Sequence, residues 1–516
     1  MRRYLLFTVF ISGMTTLAAE LAAGRLIGNV FGTSNIVWAC IIGLILIYLT
    51  FGYFLGGKWA DANPTPGALY RILAWGAFTL GLVPFLAGPV LRAAASAFES
   101  LQVGILGAAF LAVLVLFVVP ITLLGAVSPF AIRLSVDDTA HAGQTSGQIY
   151  AISTLGSFIG TFLPTLITIP AIGTKNTFLL FSLLLLFVAL AGLGKFAAPR
   201  DLVRYLWMPM VLVLVAVLAR GQALKSNTGQ LYETESAYNY IQVAEQNGFT
   251  ILRLNEGQGV HSIYHPDILQ YNGPWDQFLV SPYFYADRRP TDVGRVAIVG
   301  LAAGTTARQV TAVYGDIPID GFEIDPEIVE VGEQYFGMTL PNLNVVIGDG
   351  RWNLEQSPHK YDIIAVDAYR PPYIPPHMTT QEFFQIAADH LTEHGVLALN
   401  SASVPGDERL INGLATTMGT IFPSIYTMDI PGSLNTMIFA TKQPTTAENF
   451  AANFVALAAD PNVHPLLIAS MQTTFANLNT GYEPTTVFTD DHAPIEWIVN
   501  DMVIRFILGG GTQYLQ

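Results

Sequence analysis

The feature that most constrains this chain is a series of apolar runs, each near 20 residues, that fills its first 220 residues. A run of that length is what crosses a hydrocarbon layer roughly 30 Å thick. Helices are the form that leaves no backbone polar group unpaired there. Spans are predicted near 4–30, 35–57, 68–94, 101–125, 147–172, 175–197 and 203–220, the last being the shortest. Met1-Arg2-Arg3 ahead of an apolar run, with Ala18, Ala19, Ala22 and Ala23 beyond it, has the outline of a secretory signal. Further spans follow at once, so the first helix is read as retained and the chain as multi-pass.

Composition agrees with a membrane class. Hydrophobic residues make up 52% and charged residues 12% of the 516, about half the charged share of a soluble domain. Residues 1–225 hold 13 Lys+Arg against 6 Asp+Glu, a net of +7; the remainder holds 11 against 32, a net of −21, and the two sum to −14. So acidic a second half argues against a nucleic-acid partner, because phosphate binding needs clustered cations. The single cysteine, Cys40, excludes intrachain disulfides and multi-cysteine metal sites.

Arg2, Arg3, Lys58, Arg71, Arg133, Lys195, Arg200 and Arg204 fall in one set of loops, which predicts a cytoplasmic N terminus. Seven spans would then send the second half outside. Six full spans with an interfacial or re-entrant seventh, or eight spans, would keep it inside, and the cytosolic ligand argued below favours a cytoplasmic C-terminal domain. Glu20 and Arg25 are ionisable groups at or near membrane depth, either a structural pair with a snorkelling arginine or a contact for a polar substrate or headgroup. The glycines of Gly52 to Gly57 and Gly156 to Gly160 are read as sites of close helix packing.

Three domains are expected: a transmembrane helical domain over 1–225, a linker and small β subdomain over 226–290, and a nucleotide-binding α/β domain over 291–516. Residues 226–235 read as linker. Alternating stretches at 238–243 and 250–254 flank Gln246-Asn247-Gly248, a hairpin signal, with a third strand near 260–264 and a helix over 274–285. From Arg295, strands at 295–300, 319–323, 343–347, 361–366 and 395–400 alternate with helices such as 305–314 and 326–336. That order predicts a doubly wound, mostly parallel, Rossmann-like sheet with its ligand beyond the carboxyl ends of the strands.

The candidate site residues fall at those ends. Gly300 and Gly304 let backbone approach a ligand where a helix begins. Glu323 ends the second strand about 20 residues on, where a carboxylate can accept ribose hydroxyls. Asp349, in Gly348-Asp349-Gly350, can accept an adenine amino group, and Asp367 closes the strand 361–366. Taken singly each is as well explained as a cap or turn; it is their joint placement that points to a nucleotide. A carboxylate at 367 would orient an incoming amine and accept its proton, help worth roughly 10²- to 10⁴-fold in rate.

The run Val296 to Gly304, then Phe322-Glu-Ile-Asp325, Gly348-Asp-Gly350 and Tyr361 to Asp367, resembles the core of the spermidine synthase family of aminopropyltransferases, with Glu235 to Val243 similar to that family's N-terminal β unit. With the apolar half included, the chain resembles bacterial fused transporter-like and spermidine synthase-like proteins of the inner membrane. The resemblance implies S-adenosylmethionine or its decarboxylated form as co-substrate, with Glu323 on the ribose, Asp349 on the adenine, Asp367 on the attacking amine and Asn239 where a donor-binding glutamine usually stands. Two positions depart. The glycine-rich loop's acid for the donor's ammonium is Ala303, and the second diamine acid is Arg370. Replacing two acids by an alanine and an arginine shifts the local charge by about +3, and each unit at ~5 Å is worth on the order of 3 kcal/mol at an effective dielectric near 20. A dicationic diamine is therefore disfavoured.

The leading expectation is a membrane-anchored transferase that alkylates an amine or other nucleophile, the group moved being aminopropyl, aminocarboxypropyl or methyl. The acceptor is a small molecule or a lipid, with Tyr369 and Arg370 on the acceptor side. Asp490, Asp491 and Glu496 form a late acidic cluster, either a solvated cap or part of that pocket. The alternative is a transporter or exporter whose second half binds an adenosyl nucleotide as a sensor or coupled domain. His261 with His265, and His390 with His394, lack an evident third ligand, so no metal is expected. Residues 370–378, rich in proline, are expected to form a stiff loop over the site. Self-association into a homo-oligomer is left open.

Overall fold

Two units divide the chain in the computed structural model: Met1–Asn227 with Thr234–Tyr240, and Thr228–Glu233 with Ile241–Gln516. The structure describes residues 1–31, 35–101, 104–136, 141–219, 229–255, 259–368 and 374–508.

The first unit is helical: α1 Arg2–Phe31, α2 Asn35–Ala62, α3 Pro66–Leu101, α4 Gly104–Gly125, α5 Val127–Ser135, α6 Ala142–Leu163, α7 Ile169–Phe196, α8 Pro199–Tyr205 and α9 Trp207–Leu218. Six helical stretches among the described residues are long and apolar enough to cross a membrane. One of them, Ala142–Phe196, has 55 residues, which would run straight for about 80 Å. It breaks instead at Gly173, whose φ of +76° and ψ of 167° leave the helical region, and doubles back. α6 lies parallel to α1: Arg2 donates to Gln148 at 2.7 Å, and Gly13 and Met14 face Ser153 and Gly160 further along. α7 lies antiparallel to α1, with the Tyr4 hydroxyl donating to the Val188 carbonyl and Asn29 and Thr174 meeting at one carboxylate at the other end. The six stretches therefore hold seven apolar segments.

Small residues set these packing distances. A β-carbon on Gly156 would stand 2.0 Å from the Phe10 carbonyl oxygen, and one on Gly160 would stand 2.1 Å from that of Met14. Gly52 and Gly56 meet Gly125 and Ala126 in the same way.

The seventh segment, the shortest of those predicted, is long and apolar enough to count with the others. In the structure α8 and α9 run back along α7 and α3, with Leu202 beside Gly194, Trp207 stacked edge-on to Phe78, and Leu212 against Gly81. Those 20 residues cover about 30 Å. Residues 234–240, which belong to this unit, then lie at the end where α1 finishes. Arg25 pairs there with Glu235 at 3.4 Å and donates to the carbonyls of Ser236 and Tyr238. Asn29 donates to Glu235 at 3.2 Å, and the Thr174 N–H donates to it at 3.0 Å. Arg25 is thus a structural partner of the connecting segment, and the chain leaves the helical unit at the end opposite Met1.

In the second unit, β1 Gln230–Glu235, β2 Tyr240–Gln246, β3 Phe249–Leu254 and β4 Val260–Tyr264 form a sheet in that order. Asn247 and Gly248, at φ of 53° and 84°, make the hairpin turn between β2 and β3 that their sequence predicts. Two expectations fail here. Much of the predicted linker 226–235 is β1, and the predicted helix over 274–285 is α10 Pro274–Phe278 followed by a separate 3₁₀ turn, Ser281–Phe284. Pro282 explains the break, because it has no N–H for a continuing helical bond.

The large sheet follows as β5 Val296–Val299, α11 Thr305–Tyr314, β6 Ile319–Glu323, α12 Pro326–Tyr335, β7 Leu343–Ile347, α13 Gly350–Glu355, β8 Tyr361–Val366, α14 Gln381–His390, β9 Leu391–Ala402, α15 Arg409–Gly419, β10 Ser424–Asp429, β11 Asn435–Thr441, α16 Ala447–Ala458, α17 Pro465–Asn477, β12 Leu478–Asn479 and α18 Ile495–Leu508. Spatial order is β12-β10-β11-β9-β8-β5-β6-β7. β9, β8, β5, β6 and β7 are parallel, and the β10, β11, β12 edge is antiparallel. Strand alternation sorts the core onto two faces: Val296 and Ile298 join one apolar cluster, Ala297 and Val299 the other. The small sheet packs through Leu252 and Leu254 against Ala303 and Ile328, so it shares a core with α12.

Candidate active site

Strand order converts a list of sequence motifs into a place. Chain direction across the sheet reverses between β5, whose successors β6 and β7 lie to one side, and β8, which lies to the other. A crevice opens at such a switch point. The carboxyl ends of β9, β8, β5, β6 and β7 present, in that spatial order, Asn400, Asp367, Gly300, Glu323 and Asp349. At about 4.8 Å per strand, Asp367 and Asp349 stand roughly 14 Å apart, a length that an adenosyl group with a short tail can bridge.

The loop after β5 is tightly held. Gly300 has φ of +86°, and a β-carbon there would stand 2.6 Å from the Asp367 carbonyl, so only glycine lets the two strand ends pass this closely. Gly304, at φ of +83°, caps α11, while Ala302 adopts φ of +48° without being glycine. That conformation costs roughly 1 kcal/mol or more, and two acceptors hold it in place. Glu323 Oε2 accepts from the Ala302 N–H at 2.9 Å, and Ser262 Oγ accepts from the Ala303 N–H at 2.9 Å. Glu323 is 7% exposed, and burial pushes its carboxyl up to about 7 despite the N–H groups of Asp325 and Ala302 that oppose the shift. Ala303 is buried and offers no charge.

Asp349 caps α13, accepting from the Trp352 N–H at 2.9 Å, and its second oxygen lies 3.0 Å from His377 Nε2. Arg351 donates to the His377 carbonyl at 2.9 Å and, through both terminal nitrogens, to the two oxygens of Asp490 at 2.7 Å. Thr380 donates to Asp490 as well. The Arg351 guanidinium holds the Asp490 carboxyl below its ordinary range. Asp490 therefore clamps the 489–492 turn beside Asp349, a placement its sequence position did not suggest. Asp491 is exposed, and Glu496 lies in the first turn of α18. Tyr369 and Arg370 fall outside the described residues, as do Pro371 and Pro372. Asn239 belongs to the first unit.

Asp367 is partly buried at the end of β8. Its N–H continues the ladder to the Val299 carbonyl, and Asn400 Nδ2 donates to its Oδ1 at 2.8 Å. Burial pushes its carboxyl up to about 6, with the Asn400 hydrogen bond pulling the other way. A carboxylate in that range is poised for proton exchange near neutrality. Contrast Asp320, at the opposite end of β6, whose oxygens are taken by Arg295, Tyr361 and Asn344: that acid is committed to structure.

A spermine/spermidine synthase domain matches residues 289–453. The second half of this chain carries a domain of the spermine/spermidine synthase family. Among curated relatives, this chain is 31% identical over 302 residues to a "Probable polyamine aminopropyl transferase" of Bifidobacterium longum, covering 56% of this chain and 66% of that one. It is 29% identical over 213 residues to a polyamine aminopropyltransferase of Vibrio vulnificus, covering 39% and 68%. The chain thus spans about two thirds of the length of the curated relatives it matches. The crystal structure of a "probable spermidine synthase" from Corynebacterium glutamicum aligns over 51% of this chain and 98% of its own, at 17% identity and a TM-score of 0.38.

Sequence reasoning missed Asn400, Arg351 and His377 in the synthase-like domain.

Proposed function

We propose that the synthase-like domain is a transferase that moves an alkyl group from S-adenosylmethionine, or its decarboxylated form, to a nucleophile. The observation that carries this reading is the row of Asp367, Gly300, Glu323 and Asp349 on consecutive parallel strand ends, with Asp367 raised to about 6. When bound, the donor supplies an electrophilic carbon beside its sulfonium. Glu323 would accept the ribose hydroxyls, each of its oxygens keeping a lone pair beyond the one given to a loop N–H. Asp349 would accept from the adenine amino group once His377 yields that oxygen, with Gly350 beside it. Asp367 would orient the attacking nucleophile and take up its proton. Such chemistry needs in-line positioning above all, and orientation alone supplies roughly 7 to 11 kcal/mol.

Ala303 bears on the donor's tail. With no carboxylate there and its N–H committed to Ser262, the pocket gives an ammonium no charge partner at this position, which favours the intact donor with its own carboxylate near the N terminus of α11. Arg370 and Tyr369 remain on the acceptor side of this proposal, with an anionic or lipidic acceptor suited to an arginine. Asp491 and Glu496 are proposed at the acceptor pocket's margin, whereas Asp490 supports Asp349 through Arg351.

The helical unit anchors the chain in a lipid bilayer, by this reading a bacterial plasma membrane. Outward apolar side chains such as Phe54, 71% exposed, and Met210, 72% exposed, suit lipid better than water. The donor is a charged cytosolic compound, so the synthase-like domain is placed in the cytoplasm. With seven crossings Met1 then lies outside, against the pull of the basic residues at its end.

Equilibrium titration of the purified full chain with S-adenosylmethionine and with its decarboxylated form tests the proposal. Tighter binding of the intact form is expected. Binding of neither would remove the transferase reading.

A further inference from the structure

Three neutral side chains stand in line behind Asp367. Ser433 Oγ donates to Asn435 Oδ1 at 2.7 Å, Asn435 Nδ2 to Asn400 Oδ1 at 2.9 Å, and Asn400 Nδ2 to Asp367 Oδ1 at 2.8 Å. Asn400 is 4% exposed, and Ser433 lines a polar cavity of about 210 Å³ together with Asp407 and Asp429. The direction of the row follows from its last member. An ionised carboxylate only accepts, so Asn400 must turn its NH₂ to Asp367. Its carbonyl oxygen then faces Asn435, which must present its own NH₂, and the oxygen of Asn435 in turn faces a hydroxyl that can donate. Reversing any amide sets oxygen against oxygen at the next link.

We propose that Asn400, Asn435 and Ser433 are positioning residues, a one-way file of donors that fixes the aim of Asp367 and stabilises its ionised form. This rests on the reading of Asp367 as the base. Desolvation disfavours the ionised form of that carboxyl, and a hydrogen bond to the charged form is what opposes it. Packed against Asp367 are the end of β5, which contributes the Gly300 backbone, and β9, which contributes Asn400. The charged groups of neighbouring strand ends are Glu323 on β6, Asp349 after β7, and Arg351, which is taken by Asp490. No charge among the described residues contributes to the Asp367 shift, which burial and Asn400 account for. With no cation beside it among the described residues, this carboxylate depends on neutral donors there, and a donor that is free to flip is a poor one.

The test reads the protonation of Asp367 directly, with neither donor nor acceptor present. The full-length protein is titrated by difference infrared spectroscopy, with Asp367→Asn as the blank. Asn400→Leu removes the donor and is expected to move the Asp367 midpoint upward by roughly one to two units, the range for a hydrogen bond to a charged group. Asn435→Leu, at a partly exposed position where packing tolerates change, leaves the Asn400 amide free to turn and is expected to move it upward by less. Asn400→Gln, which keeps an amide donor, should recover part of the Asn400→Leu shift. A midpoint unchanged by Asn400→Leu, or by Asn435→Leu, overturns the proposal, since a purely packing role would move neither in this order. Binding of labelled S-adenosylmethionine and of its labelled decarboxylated form by the same samples separates the two claims: wild type that binds neither refutes the proposed function, while the midpoints still judge the file of donors.

Discussion

At the scale of single residues, Asp367 and Glu323 meet the same condition: each must work as a carboxylate although burial favours its protonated form. Both are raised by burial, to about 6 and about 7, so both are protonated more readily in the folded chain than in an unfolded one. The sign follows: each carboxylate becomes available only as pH climbs through its folded value. Transfer by Asp367 should rise through about pH 6, and donor affinity, which needs ionised Glu323, should rise between about pH 6 and 8. Rate and binding profiles across that range check both, and a flat binding profile would contradict the role of Glu323. Asp367→Asn should lower turnover by roughly 10²- to 10⁴-fold while leaving donor affinity nearly unchanged. These acids were readable in the sequence because a carboxylate closing an apolar strand is conspicuous. Asn400 and Asn435 were not, since neutral amides carry no such mark and their partners lie 33 and 35 residues away in the chain. Nor does an acidic cluster in sequence say that Arg351 pairs with Asp490.

Among elements, α1 and α6 approach closely at their glycines. Gly156→Leu would drive a side chain into the Phe10 carbonyl, whereas Gly147 and Gly57 have open space around them. Gly156→Leu is therefore expected to abolish or strongly reduce the monodisperse fraction of detergent-solubilised protein in size-exclusion chromatography, with Gly147→Leu close to wild type. Equal behaviour of the two would contradict the packing described. Long apolar runs made these helices legible, as did the alternating strands from Val296 onward. What escaped was set by pairing rather than by local pattern. β1 reads as a linker because its apolar partners are on β2, and β10, β11 and β12 form an antiparallel edge that nothing in a βαβ series announces. The turn at Gly173 was legible only as a boundary between spans, and its positive φ is what lets α7 fold back along α1.

For the whole molecule, the proposed anchoring by seven apolar segments predicts that reporters fused at Met1 and after Gln516 label opposite faces of the membrane. The proposed cytosolic donor further predicts that the C-terminal reporter is the cytoplasmic one. Both reporters on one face would contradict the path of α8 and α9, and an external C-terminal reporter would separate the synthase-like domain from its donor. The central claim is narrower than topology. It is the proposal that strand-end acids on one sheet bind an adenosyl sulfonium compound, and the direct measurement is equilibrium binding of S-adenosylmethionine and of its decarboxylated form to the full-length protein, compared with Glu323→Ala and Asp367→Asn. The account predicts saturable binding by wild type, retained in Asp367→Asn and lost in Glu323→Ala. Absence of binding by wild type, or binding indifferent to Glu323, would contradict it.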